Sequence, residues 1–150
     1  MQNSRRKKMN KLKLLLTNQE LIPDSKDWAL LILRVIPSFF LFYNHGMDKI
    51  TAGPETWGWL GGAILSLIGI SFGHVLFGFL AALSEGVMTL LVLVGYKTRL
   101  ASFFIMMTMF LAGIYHLSEG ESPESAFIYF IIYFVLFLRG SGQFSIDERI

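Results

Sequence analysis

Apolar residues run almost unbroken from about Trp28 to His45, from about His74 to Val94, from about Leu100 to Leu117 and from about Pro123 to Leu138. As helices rising 1.5 Å per residue, these stretches reach roughly 24–32 Å, near the ~30 Å hydrocarbon core of a bilayer. The pattern predicts an all-α protein, a four-helix transmembrane bundle. Local signals agree with the ends of the spans. Asp24 can cap the first, Asp27 follows three residues later, and Trp28 suits the membrane interface. Ser122 can cap the fourth, with Pro123 at its first helical position. Between spans one and two, Trp57-Gly58-Trp59 leads into an apolar, glycine-rich run as far as Ile70. It is short for a span, and the two tryptophans suggest a short interfacial or re-entrant helix.

Composition explains why the spans are so clear. Of the 150 residues only 16% are charged, against about a quarter in soluble domains. The deficit lies in the apolar runs. Residues 1–25 are different: Arg5, Arg6, Lys7, Lys8, Lys11 and Lys13 cluster there. Without a long apolar region or a small-residue cleavage site, this segment reads as an uncleaved basic cytoplasmic tail that touches anionic lipid. Nothing else in the chain supports nucleic-acid binding. Residues 26–150 then form the membrane domain.

Charge sets the orientation and the number of spans. With four spans, eleven of the thirteen Lys and Arg residues fall on one side, Lys49 falls on the other, and Arg34 lies within span one. The positive-inside rule places both termini in the cytoplasm. A fifth span through residues 57–70 would put Lys97, Arg99, Arg139 and Arg149 outside, so that alternative is rejected.

The chemistry-bearing residues are few. There is no cysteine, which removes disulfides and thiolate chemistry. No nucleotide loop, zinc motif or Ser-His-Asp signature is present, so no self-contained catalytic motif marks an enzyme and no metal site is expected. The Met106-Met107-Thr108-Met109 stretch reads as adaptable packing. Haem held by two histidines stays open, with His45, His74 and His116 available.

An ionised group near the bilayer centre costs roughly 2.5–3.5 kcal/mol on insertion scales. Arg34, about two turns into span one, and Glu85, about three turns into span two, reach similar depths from the cytoplasmic ends. They are expected to form an ion pair whose first role is to register two helices. His116 at the end of span three and Glu124 at the start of span four must lie close, because the connection is short. His45 and Lys49 reach the same outer level. These four make a candidate polar site, against the bland alternative of helix-end residues satisfied by dipole and water.

In order along the chain come Arg34, His45-Gly46-Met47-Asp48-Lys49, Glu85-Gly86, Gly95-Tyr96-Lys97-Thr98-Arg99, Ala112 to His116, Glu124-Ser125-Ala126 and Arg139-Gly140-Ser141-Gly142-Gln143-Phe144-Ser145-Ile146-Asp147. This ordered set, over about residues 28–150, resembles the DoxX family of small bacterial membrane proteins. The chain departs where members often have Gly near Pro37 and Pro at position 141. The resemblance implies a four-helix membrane fold associated with respiratory or redox complexes, so a quinone and a redox-enzyme subunit are the partners it suggests, besides membrane lipid. A non-catalytic anchor or assembly subunit, and a small-solute or proton pathway, are the competing readings. Substrate, cofactor and oligomeric state are not legible.

Overall fold

A computed structural model describes residues 25–150 and contains five helices. The expected basic tail, but for Ser25, and the Asp24 cap lie outside the described residues. Helix α1 comprises an α-helical stretch Ser25–Leu41, a π-helical turn Phe42–Gly46 and a final stretch Met47–Thr51. Helix α2 is Pro54–Ser66, with Pro54 in its first turn where its missing N–H costs nothing. Helix α3 has the same composite build as α1: His74–Leu83, a π-helical turn Ser84–Met88, then Thr89–Val94. Helix α4 is Thr98–Ser118 and α5 is Glu124–Arg139.

Among the described residues, three helices are long and apolar enough to cross a membrane: Lys26–Thr51, His74–Val94 and Thr98–Ser118. The chain is a helical membrane protein. Helix α5, 16 residues long, reaches only about 24 Å at 1.5 Å per residue. Span one is longer than the expected 28–45, because Gly46 does not end the helix. The π turn absorbs it and the helix continues to Thr51.

Helices α2 and α3 form one tight hairpin, α4 and α5 another, and α1 packs against α3 and α5. In the first hairpin the backbones nearly touch: a side chain on Gly61 would collide with the His74 carbonyl, and one on Gly78 with the Trp57 carbonyl. The core lies between α1, α3, α4 and α5, around Leu41, Val92, Ile105, Met109, Tyr133 and Leu136. Met106 and Met109 both pack into it, while Met107 faces outward. Large apolar side chains such as Ile32, Phe40, Leu76, Phe104 and Ile131 cover the outside of the bundle. On a water-soluble protein such a surface would drive aggregation; against lipid it is at no disadvantage.

Polar groups are also buried. Ser38 Oγ and Tyr133 Oη hydrogen-bond at 3.0 Å between α1 and α5. The segment after α5 closes the end of the bundle where that helix stops. Asp147 accepts hydrogen bonds from the backbone N–H of Lys97 at 2.7 Å and of Thr98 at 2.9 Å, and Asp27 accepts one from the Gln143 N–H at 2.9 Å. Burial pushes the Asp147 carboxyl up, but the hydrogen bonds from Thr98 and Lys97 outweigh it and hold the group below the usual carboxylate range.

Candidate functional site

The site is organised by the two π-helical turns. A π turn inserts one residue into an α-helix, rotating the side chains beyond it. The turn of α1 ends at Gly46, which meets the turn of α3 at Glu85 and Gly86. Any side chain at position 46 would overlap the Glu85 carbonyl oxygen, so only glycine lets the helices approach this closely. Three residues after Gly46, Lys49 reaches across, with Nζ at 2.7 Å from both Glu85 carboxylate oxygens. The Glu85 side chain is 3% exposed and that of Lys49 28%. A carboxylate so deeply buried needs a charged partner and short charge-assisted hydrogen bonds. Lys49 supplies both while its stem still reaches towards the surface.

The expected pairing of Arg34 with Glu85 is therefore corrected. Arg34 is 2% exposed and donates instead to two backbone carbonyls of the C-terminal segment, Ser141 O at 3.0 Å and Phe144 O at 2.6 Å. Glu85 is level with Gly46, and Arg34 lies twelve positions below Gly46, about 18 Å of helix. Its guanidinium sits beside Gly95, past the end of α3. Depths counted from Trp28 and from Val94 looked alike because α1 extends beyond α3 at this end.

The Lys49–Glu85 pair forms one wall of a cavity of about 290 Å³ between α1, α2, α3 and α4. His45 and His116 line the same cavity, and Trp59, Leu60, Ile64 and Tyr115 give it an apolar side. A smaller space of about 60 Å³ lies on the α5 side of the same groups, bounded by Met109 and Tyr129. Helix α2 is tied over the site by the Trp57 indole N–H, which donates to Lys49 O at 2.8 Å, and by the edge-on contact of Trp57 with Phe79, their ring centroids 4.9 Å apart.

Three of the four candidates expected at the outer end, His45, Lys49 and His116, thus share a cavity. Glu124 does not line it. It is exposed in the first turn of α5, where its N–H donates to Ser122 Oγ at 3.4 Å. The carboxylate beside His116 is Glu121, with Oε2 at 2.7 Å from Nδ1. The chain turns through Gly120 between α4 and α5, which carries Glu121 back to the end of its own hairpin and leaves Glu124 facing outward. His74 lies apart, at the start of α3, lining an apolar groove with Phe72 and Leu76. Among the described residues no three His, Asp or Glu side chains converge on a possible metal position.

The sequence reading missed Glu85 as a member of this site and Glu121 as the partner of His116. One signal for the first was present: Gly46 and Gly86, small residues beside Lys49 and Glu85, mark a close helix crossing.

Neither characterised proteins nor solved structures give a match to the chain. The family model described as DoxX matches residues 29–117, from α1 to the end of α4, and so spans every residue of the larger cavity. Sharing that model over more than half its length, the chain belongs to the DoxX family.

Proposed function

We propose that this chain is a redox-associated subunit of a bacterial inner-membrane oxidoreductase complex, and that its cavity holds a quinone headgroup. The observation behind this is the cavity itself, with a charged and imidazole wall facing an aromatic and aliphatic one. Ligand sites are typically concave and apolar with a few placed polar groups, in volumes of about 300–1,000 Å³. At about 290 Å³ this one suits a single ring.

In this reading Lys49 and His45 donate to a quinone carbonyl, and Trp59, Leu60 and Ile64 contact the ring. Glu85 keeps Lys49 in place. The His116–Glu121 pair, partly exposed, exchanges protons with the aqueous phase. The partner redox enzyme supplies the electrons. Helix α5 is the fourth span, α2 rests at the outer interface, and both termini are cytoplasmic, as the distribution of Lys and Arg implies.

The test is mild-detergent purification followed by lipid extraction and quinone quantification. Near-stoichiometric quinone in the wild type, lost in Lys49→Met, is expected. A second reading, a non-catalytic anchor, draws on the closed Lys49–Glu85 pair, which serves as a structural clasp without any ligand. It predicts quinone-free protein that co-purifies with one soluble enzyme. Proteoliposome flux lost in Glu85→Gln would instead point to a solute or proton pathway.

A further inference from the structure

At the opposite end of the bundle, the start of α4, the end of α5 and the C-terminal segment enclose a polar crevice of about 580 Å³. Its cations are Lys97, Arg99 and Arg139, and its carboxylates are Asp27, Asp147 and Glu148. Two of the carboxylates are already engaged: Asp147 by the N–H groups of Lys97 and Thr98, Asp27 by that of Gln143. Arg99 and Arg139 make no ion pair with a carboxylate among the described residues.

Both arginines line this one crevice. Arg99 lies over Gly140, the residue after Arg139. A Cβ at position 140 would stand 3.4 Å from Arg99 Nε and 3.8 Å from its terminal nitrogen. Gly140 has φ +83, a conformation that L side chains rarely adopt. Glycine is required here by the corner, and the Arg99 guanidinium lies within ordinary contact range of it. Glu148 also lines the crevice but forms no ion pair with either arginine, so both guanidinium groups have donors open to an anion from outside.

The surroundings indicate the source of that anion. Leu100 lines the crevice and is 54% exposed; Leu138, beside Arg139, is 56% exposed. Phe103 and Phe104 on α4 and Phe134 on α5 continue the exposed apolar surface towards the bundle middle. A ligand with an anionic head at the arginines and apolar chains along this surface satisfies both features. Guanidinium groups bind phosphate oxygens through paired N–H donors, and basic pockets between transmembrane helices bind lipid headgroups.

We propose that Arg99 and Arg139 form a binding site for the phosphodiester headgroup of an anionic phospholipid, whose acyl chains lie over Leu100, Leu138 and Phe104. The lipid bridges α4 and α5 where that hairpin opens. The site is independent of the cavity at the other end and stands or falls separately from the quinone reading.

The experiment uses the full chain, delipidated in mild detergent, with thermal unfolding followed by tryptophan fluorescence. Phosphatidylglycerol is expected to raise the melting temperature saturably, whereas phosphatidylcholine of the same chains, or inorganic phosphate, leaves it unchanged. Each cation near a membrane surface contributes about fivefold to anionic-lipid affinity. Arg99→Gln should therefore weaken the response about fivefold, and Arg99→Gln with Arg139→Gln on the order of 25-fold. Arg149→Gln should leave it unchanged. Native mass spectrometry of the wild type, which needs no variant, should show phosphatidylglycerol retained over phosphatidylcholine. Equal retention of the two lipids, an equal response to inorganic phosphate, or a full response in the double variant would overturn the proposal.

Discussion

Replacing Lys49 by Met tests the central feature of the site. The variant keeps the length and apolar stem of the side chain but removes the ammonium that sits 2.7 Å from both oxygens of Glu85. Glu85 is then a buried carboxylate without a counter-charge. Breaking a buried pair from one side costs roughly 3–5 kcal/mol. Because Lys49 is 28% exposed, water can reach part of the site, and the lower end of that range, about 3 kcal/mol, applies. For a chain of this size the loss corresponds to a fall in melting temperature on the order of 10 °C. The assay is a double-mutant cycle by thermal unfolding in detergent, with Lys49→Met, Glu85→Gln and the double variant. Glu85→Gln alone strands the ammonium less severely, since Lys49 can swing outward. The double variant should recover most of the Lys49→Met loss, giving a coupling of about 2 kcal/mol or more, within the range for residues in contact. A parallel cycle with Arg34→Leu and Glu85→Leu should be additive within about 0.5 kcal/mol, because those residues have separate partners. Additivity in the first cycle with coupling in the second would refute the assignment.

Four further outcomes are expected. Gly46→Val should sharply reduce folded yield, since its side chain would overlap the Glu85 carbonyl; Ser118→Ala, on the exposed end of α4, should not, as measured by size-exclusion recovery. Asp147 is held below the ordinary carboxylate range, so its stabilising effect is complete above the unfolded value of about 3.9. That effect is lost as the pH falls through the lower folded value. Asp147→Asn should therefore melt lower than wild type at neutral pH and show a shallower loss on acidification. His116→Gln should reduce quinone retention with little change in melting, whereas Glu124→Gln, outside the cavity, should leave retention unchanged; the reverse order would exclude His116 from the site. Single cysteines at Gly53 and Ser118 should label from outside intact cells and one at Lys97 should not, and labelling of all three from outside would overturn the four-span orientation.

Much of the architecture can be read from hydropathy alone, because a span must bury every backbone polar group in a helix and face lipid with apolar side chains. The third helix, read as about His74 to Val94, has those limits in the structure, and α4 and α5 differ from their expected limits by one or two residues. The gathering of His45, Lys49 and His116 at one end of the bundle was legible too, from their positions along the first and third spans. Pairing was not. Depth along one helix is known only relative to an assumed boundary, and α1 extends to Thr51 and overhangs α3 at its other end. That offset places Arg34 against the carbonyls of Ser141 and Phe144 and lowers Lys49 to Glu85. Two π turns complete the change by rotating the faces of α1 and α3, and no periodicity of 3.6 residues announces them. Which ions meet depends on how the helices slide and turn against one another, and the contact of Gly46 with Glu85 and Gly86 that fixes this exists only once the bundle is packed.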